Sequence, residues 1–562
     1  MKYPWWWPHE RFVEDHKEDI TVESTGKEAG VTSSSSSDNE EPQQALTYEY
    51  RDEANRPWWK YFSEYEYRIT SNEKKAHKWW KWFDDTNSPQ EKKLLLKLDI
   101  LLTFYSFVLY WVKYLDQTNV NNAYVTNMKE DIGMKGNDLV VVQAMFTVGS
   151  CIFQLPFMYL FVHVPINIML PLMDLGWGIF TLFIYKANNV ETVMALRFFV
   201  GVFESSFYPA IHYLLGAWYK PSEYGRRGGV YYFGQMLGVL TSGLLQSATY
   251  DTLDGVNGLA GWRWMFIVSA IITLPVGLIG FWALPGTPNK CYSIFLTDDE
   301  IRLARKRMLN KQGGEAKAPP FFDKEVWKRI IFDWKIYILT LFNIFCWNNN
   351  NGTSGAYLLW IKSLDRYAPG KVNQLSAISP GLGILWIFLV CTGADMFQSR
   401  YGAIVISQIF NFTGNVILAA WDVPEGAKWF AFMLQYFGWA MASVLYGWMA
   451  DICRHDHQVR AVVLVFMNVM AQASTAWISV LVWPTVEAPR YLKGFSFTAT
   501  SAFCLAAWSF VVLWFYKREE RQNAKLNGII VYNSKKGEYP DPEADQCPAE
   551  KSQIQQQQNT NN

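Results

Sequence analysis

The segment Leu196-Arg197-Phe198-Phe199-Val200-Gly201-Val202-Phe203-Glu204-Ser205-Ser206-Phe207-Tyr208-Pro209 sets two opposite charges in an otherwise apolar run. At 100° per residue on a helix, Arg197, Gly201, Glu204 and Tyr208 fall within an arc of about 60°. A guanidinium offers two parallel donors to a carboxylate or another planar oxyanion, so Arg197 is a candidate anchor for an acidic solute. A carboxyl in apolar surroundings can take up and release a proton, which makes Glu204 a candidate coupling group. The alternative is a static arrangement in which the two charges satisfy each other or neighbouring helices.

Other polar residues stand where they are expensive. Asp116-Gln117-Thr118-Asn119 and Asn121-Asn122 follow an apolar run and are expected at its outer end. There Gln117 and Asn119 would meet a solute and Asp116 would act in gating; the alternative is a helix end satisfied by water. Asn343 precedes Trp347-Asn348-Asn349-Asn350-Asn351-Gly352. Consecutive amides and a glycine are poor helix formers, and interrupted helices expose backbone groups to a solute. Asn343, Trp347 and Asn348 are therefore candidate lining residues, unless the helix simply ends earlier. Asp174 is a second candidate for proton coupling. Gln235, Gln435, Asn468 and Gln472 are expected to be interhelical packing contacts.

The cysteines at 151, 291, 346, 391, 453, 504 and 547 show neither metal spacing nor a disulfide framework. No nucleophile–base pair or phosphate loop is visible, so neither an enzyme nor a cofactor is expected. Formal charge is zero, which gives no case for nucleic-acid binding.

Half of the 562 residues are hydrophobic. They gather in twelve stretches, at 96–116, 139–161, 166–186, 191–214, 229–250, 263–285, 335–360, 375–395, 401–421, 429–450, 459–483 and 495–516. About 20 such residues cross a bilayer as a helix. The predicted organisation is a tail over 1–95, a six-helix bundle over 96–285, a linker over 286–334, a second six-helix bundle over 335–516 and a tail over 517–562. Two sets of six around a polar waist outline an all-α secondary transporter that binds a small solute within the bilayer. A monomer suffices for such a fold. Within the linker, Thr297 with Glu300 three residues later predicts a capping box opening a helix. The amino-terminal tail is expected to be disordered around its serine run, Ser33–Ser37, and interfacial over the Trp/Lys segment 57–83. The carboxy-terminal tail, which ends in glutamines, is expected to be mobile. Basic residues crowd the tails and the linker, which predicts both termini on the cytoplasmic side. The sequons at Asn351 and Asn411 lie in or beside spans and are discounted. A nutrient sensor of the same architecture, signalling through the long amino-terminal tail, is the alternative function.

Lys97-Leu98-Asp99, Tyr114-Leu115-Asp116-Gln117-Thr118-Asn119-Val120-Asn121-Asn122-Ala123, Arg197-x-x-x-Gly201-x-x-Glu204 and Gly261-Trp262-Arg263-Trp264 resemble the fungal allantoate permease family of anion:cation symporters, within the major facilitator superfamily. The segments Met128–Asp131, Cys291–Arg307 and Glu487–Tyr491 extend the resemblance, which covers about residues 50–535. It implies the major facilitator fold, alternating access, and proton-coupled import of a small organic anion or zwitterion across a plasma membrane. A sulfur-containing amino acid derivative such as a sulfoxide comes first by resemblance; biotin, pantothenate and allantoate-type ureides follow. Relatives carry an arginine where this chain has Gln117, which favours a single-carboxylate or zwitterionic solute over a dianion. The superfamily's inner-loop motif is missing between the second and third stretches. Its second copy persists as Gly393-Ala394-Asp395-Met396-Phe397-Gln398-Ser399-Arg400, making Asp395 and Arg400 the expected latch.

Overall fold

The computed structural model describes residues 7–13, 49–67, 82–83, 87–312, 328, 331–352, 354–454, 457–525 and 527–538. It divides into one unit over 1–15 and 87–510 and a second over 16–86 and 511–562.

Each of the twelve apolar stretches lies on a helix or on a helix broken within the stretch. Seven helices among the described residues are long and apolar enough to cross a membrane unaided. The others fall short because they are polar, partly undescribed or interrupted. Span four is Val190–Glu204 followed by Phe207–Trp218, with Ser205 and Ser206 at the break. Span ten is cut into Glu425–Leu434, Phe437–Ala440 and Ala442–Ile452. Spans four and ten occupy corresponding places in the two halves, and paired interruptions of that kind point to a solute site. Span seven stops at Asn348 and resumes over Ala356–Ser363.

The first span corrects the expected boundary. The helix Tyr105–Ala123 continues through Asp116, so Asp116 to Asn122 lie inside a helix rather than at its end. The side chains of Asp116, Asn119 and Asn122 find partners on spans five and six, which lets the helix run on.

Packing repeats between the halves: span one lies on span five, as span seven lies on span eleven. Across the halves, span two meets span eleven and span five meets span eight. At the end opposite the linker, one hydrophobic core joins both halves, including Val120, Trp262, Phe266, Tyr357, Trp360 and Phe432. That end of the molecule is closed.

On the linker side the capping box forms as expected. Thr297 N–H donates to Glu300 Oε2 at 2.9 Å and Glu300 N–H to Thr297 Oγ1 at 3.3 Å, opening the helix Asp298–Gln312. Arg307 of that helix reaches Glu91 and Glu223 at 3.1 and 2.6 Å.

The second unit pairs short strands from the two tails. Glu49–Asp52 and Ile529–Tyr532 form a parallel strand pair, in register from Glu49 with Ile529 to Asp52 with Tyr532. Tyr67, Ala524 and Ile529 make its small core. The β-branched run Ile529-Ile530-Val531 supplies the strand propensity that the surrounding charges mask. The serine run and the glutamine tail lie outside the described residues, as do residues 68–81 of the Trp/Lys segment.

Candidate functional site

Span four turns Arg197 and Glu204 to the same interior, and both are buried. They do not pair with each other through a hydrogen bond. Glu204 Oε1 instead forms an ion pair with Lys113 Nζ of span one, 3.1 Å away. Lys113 lies in the apolar first half of its helix, and its ammonium also stands 5.1 Å from the Phe207 ring and 5.9 Å from those of Tyr110 and Tyr114. Aromatic faces stabilise a cation that has lost its water. The sequence reading misses Lys113, although its charge inside the first apolar stretch is signal enough.

Arg197 lies with its guanidinium 4.8 Å from the Phe146 ring of span two. Its Nε and Nη1 have no hydrogen-bond acceptor among the described residues. Gly201 makes this contact possible, because a Cβ there would run into the Phe146 carbonyl. The shared face read from the sequence therefore has a packing component: glycine brings span two close enough to hold the arginine.

Asp116 is buried and its Oδ2 accepts from Thr273 Oγ1 at 2.9 Å, while Oδ1 has no donor among the described residues. Gln117 also keeps its Oε1 without a partner among them. Asn119 is fully engaged, donating to Ser269 at 2.8 Å and accepting from Ser242 at 2.9 Å. Asp174 is completely buried, near Tyr105 and within electrostatic reach of Glu204 and Lys113.

The second half contributes a different chemistry. Asn343 donates to the Met467 carbonyl at 3.1 Å and Asn348 to Ser474 at 2.8 Å, both on span eleven. Trp347 Nε1 donates to Tyr446 OH at 3.0 Å. The asparagines that follow dock on span nine. Asn349 donates to Gln408 at 3.1 Å, Asn351 to Asn415 at 3.0 Å, and Asn411 returns a bond to the Asn349 carbonyl at 2.8 Å. Gln408, Asn411 and Asn415 recur at one-turn and two-turn spacing on one face, a pattern present in the sequence and not used there. Asn411 is buried in this lattice.

Aromatic residues join the two halves below Glu204. Tyr208 and His212 of span four pack against Tyr446 of span ten, with ring centroids 5.5 and 6.4 Å apart. The site thus has a cationic, carboxylate-bearing side from the first half and an amide and aromatic side from the second.

Arg400 Nη1 donates to Asp451 Oδ2 at 2.8 Å, at the linker-side end of span ten. Asp395 is exposed at the end of span eight. In the first half Arg227 grips Asp99 through two bonds of 2.6 and 3.0 Å, where the inner-loop motif is missing. Among the described residues, no group of acidic, histidine and cysteine side chains could hold a metal ion.

Comparison with known proteins follows the same outline. A family model described as "Major Facilitator Superfamily" matches residues 106–480. A "Vitamin H transporter" of Saccharomyces cerevisiae is 43% identical over 538 residues, covering 94% of this chain and 89% of that protein. The "Pantothenate transporter liz1" of Schizosaccharomyces pombe is 33% identical over 412 residues, covering 72% of this chain and 78% of its own length. The "Pantothenate transporter FEN2" of Saccharomyces cerevisiae is 29% identical over 422 residues, covering 72% of this chain and 80% of its own.

Proposed function

This chain belongs to the major facilitator superfamily, and we propose that the small organic molecule it carries is a vitamin-type monocarboxylate imported together with a proton. It is a secondary transporter in a membrane and not an enzyme. Within the superfamily we assign it to the allantoate permease branch, on the motifs of spans one and four. The plasma membrane, with both termini inside, is the location that the distribution of basic residues supports.

The observation that carries the reading is the ion pair of Lys113 and Glu204 at 3.1 Å beside an Arg197 with unused donors. The cycle has three steps. A proton from the outer water binds Glu204 and abolishes the charge that holds Lys113. The solute's carboxylate then takes Lys113 and the Nε and Nη1 donors of Arg197. After the halves rock, the carboxylate leaves, the proton follows, and Lys113 returns to Glu204. Gln117, with its unused carbonyl oxygen, suits an amide or ureide N–H on the same solute. Biotin and pantothenate both combine one carboxylate with neutral amide groups. The vitamin H and pantothenate transporters among the relatives support that class over the sulfoxide amino acids that the sequence put first.

Uptake in yeast lacking its own related permeases tests the reading. Labelled biotin, pantothenate, methionine sulfoxide and allantoate are offered at acid outer pH, with and without a protonophore. Accumulation of biotin or pantothenate that collapses with protonophore is expected. Uptake of methionine sulfoxide alone would overturn the solute class, and protonophore-insensitive accumulation the coupling. No uptake of any, with the protein confirmed at the surface, would favour the sensor alternative.

A further inference from the structure

We propose that Trp58, Trp59 and Phe62 form a membrane-inserting wedge that seats the second unit in the lipid interface, beside the end of the last span. All three are exposed, at 76%, 62% and 40% of their surfaces. They lie on one short 3₁₀ turn, Trp58–Phe62, opened by Pro57. Trp58 packs edge-on against both Trp59 and Phe62, at 6.4 and 6.1 Å, so the rings stand as one rigid cluster. A patch of this kind on a soluble surface favours aggregation, whereas tryptophan is at its best between hydrocarbon and headgroups.

The occupant follows from what holds the turn. Lys517 sits on the helix Leu492–Gln522, whose apolar part is long enough to cross a membrane. Its ammonium donates to the carbonyls of Lys60 and Tyr61 at 2.8 and 2.7 Å and pairs with Glu66 at 2.6 Å. Arg56 pairs with the same Glu66 at 2.7 Å, clamping the two sides of the turn. The aromatic turn is therefore pinned within one residue of Tyr516, where the last apolar stretch ends. Trp514, half-exposed, marks that end as an interfacial residue. Lys60, next to the tryptophans on the same turn, is exposed and can reach lipid phosphate, as interfacial lysines do. A bilayer surface is the one partner already present at that level.

The test places an environment-sensitive dye at Trp59→Cys in the full chain, reconstituted in nanodiscs, with Trp58→Cys as a second site. Labelling of the parent chain sets the background. Lipids with a quencher high on the acyl chain should reduce emission by at least about twofold, and aqueous iodide should have little effect. Iodide quenching with no lipid quenching at both positions would overturn the wedge. So would a dye quenched by neither, which would mean that another protein segment covers the turn.

Discussion

Lys113 Nζ stands 3.1 Å from Glu204 Oε1, and the two side chains are 13% and 1% exposed. One charge comes from span one and the other from span four. Attraction and desolvation nearly cancel for such a pair, yet loss of either partner strands a buried charge. In the proposed cycle that asymmetry makes the pair a switch, since protonation of Glu204 would remove one charge without removing the side chain.

Removing one member should therefore be worse than removing both. Lys113→Gln strands Glu204 and is expected to cost about 3–5 kcal/mol, whereas the double variant Lys113→Gln with Glu204→Gln should recover much of the loss. Thermal unfolding of the purified chain in detergent reads this as a lower midpoint for the single variant than for the double. Equal midpoints would show that the pair is not coupled.

Glu204→Gln alone mimics the protonated state. It should still bind and exchange solute, because Lys113 and Arg197 remain, but should no longer accumulate it in response to an acid outside. Counterflow retained with pH-driven uptake abolished is the expected split. Full pH-driven accumulation would move the proton elsewhere, with Asp174, buried within reach of the pair, next in line.

Much of this site is legible in the sequence alone. Arg197, Gly201 and Glu204 share a face because helical periodicity is intrinsic to the chain, and charges in apolar runs are conspicuous. The partners are not legible. Lys113 is visible as a charge inside the first apolar stretch, but Glu204's pairing with it rather than with Arg197 depends on how spans one and four cross. The break at Asn349 is visible, since amides are poor helix formers, but its docking on Gln408, Asn411 and Asn415 is long-range. Order in the tails is hidden for the opposite reason: strands Glu49–Asp52 and Ile529–Tyr532 are 4 residues each and almost 480 residues apart.

Gly201 should tolerate no side chain. A methyl there would meet the Phe146 backbone, which cannot withdraw without lifting the Phe146 ring from Arg197. Gly201→Ala is expected to cost about 1–3 kcal/mol through overpacking. Reduced surface expression together with a lower melting midpoint is the readout, and a silent substitution would show that the helices can separate there.

Glu300 gives a pH prediction away from the bilayer. Burial alone would raise its pKa, but the Lys97 hydrogen bond, the Thr297 backbone amide and the charge of Lys97 outweigh it and hold the carboxyl below its ordinary value of 4.5. A depressed carboxylate stabilises the fold above that value, and the contribution is lost as pH falls below it. The helix Asp298–Gln312 should thus be equally protected at pH 7 and pH 5.5 and begin to fray only in stronger acid. Glu300→Gln should fray it at every pH. Hydrogen exchange across Ile301–Arg307 measures both.

Tyr208 and Tyr446 belong to opposite halves, and their rings lie 5.5 Å apart. At the end opposite the linker the halves are already joined by a continuous apolar core. A carrier that alternates must open one of these contacts at a time to admit or release solute. If both stayed closed, solute could enter from neither side. Tyr208→Cys with Tyr446→Cys, bridged by a short bifunctional thiol reagent that reductant cleaves, should therefore stop uptake, and reductant should restore it. The single variants treated in the same way control for modification alone. Uptake that continues through a bridge verified by mass spectrometry would mean that the halves need not separate at this point, and that the moving contact lies elsewhere along spans four and ten.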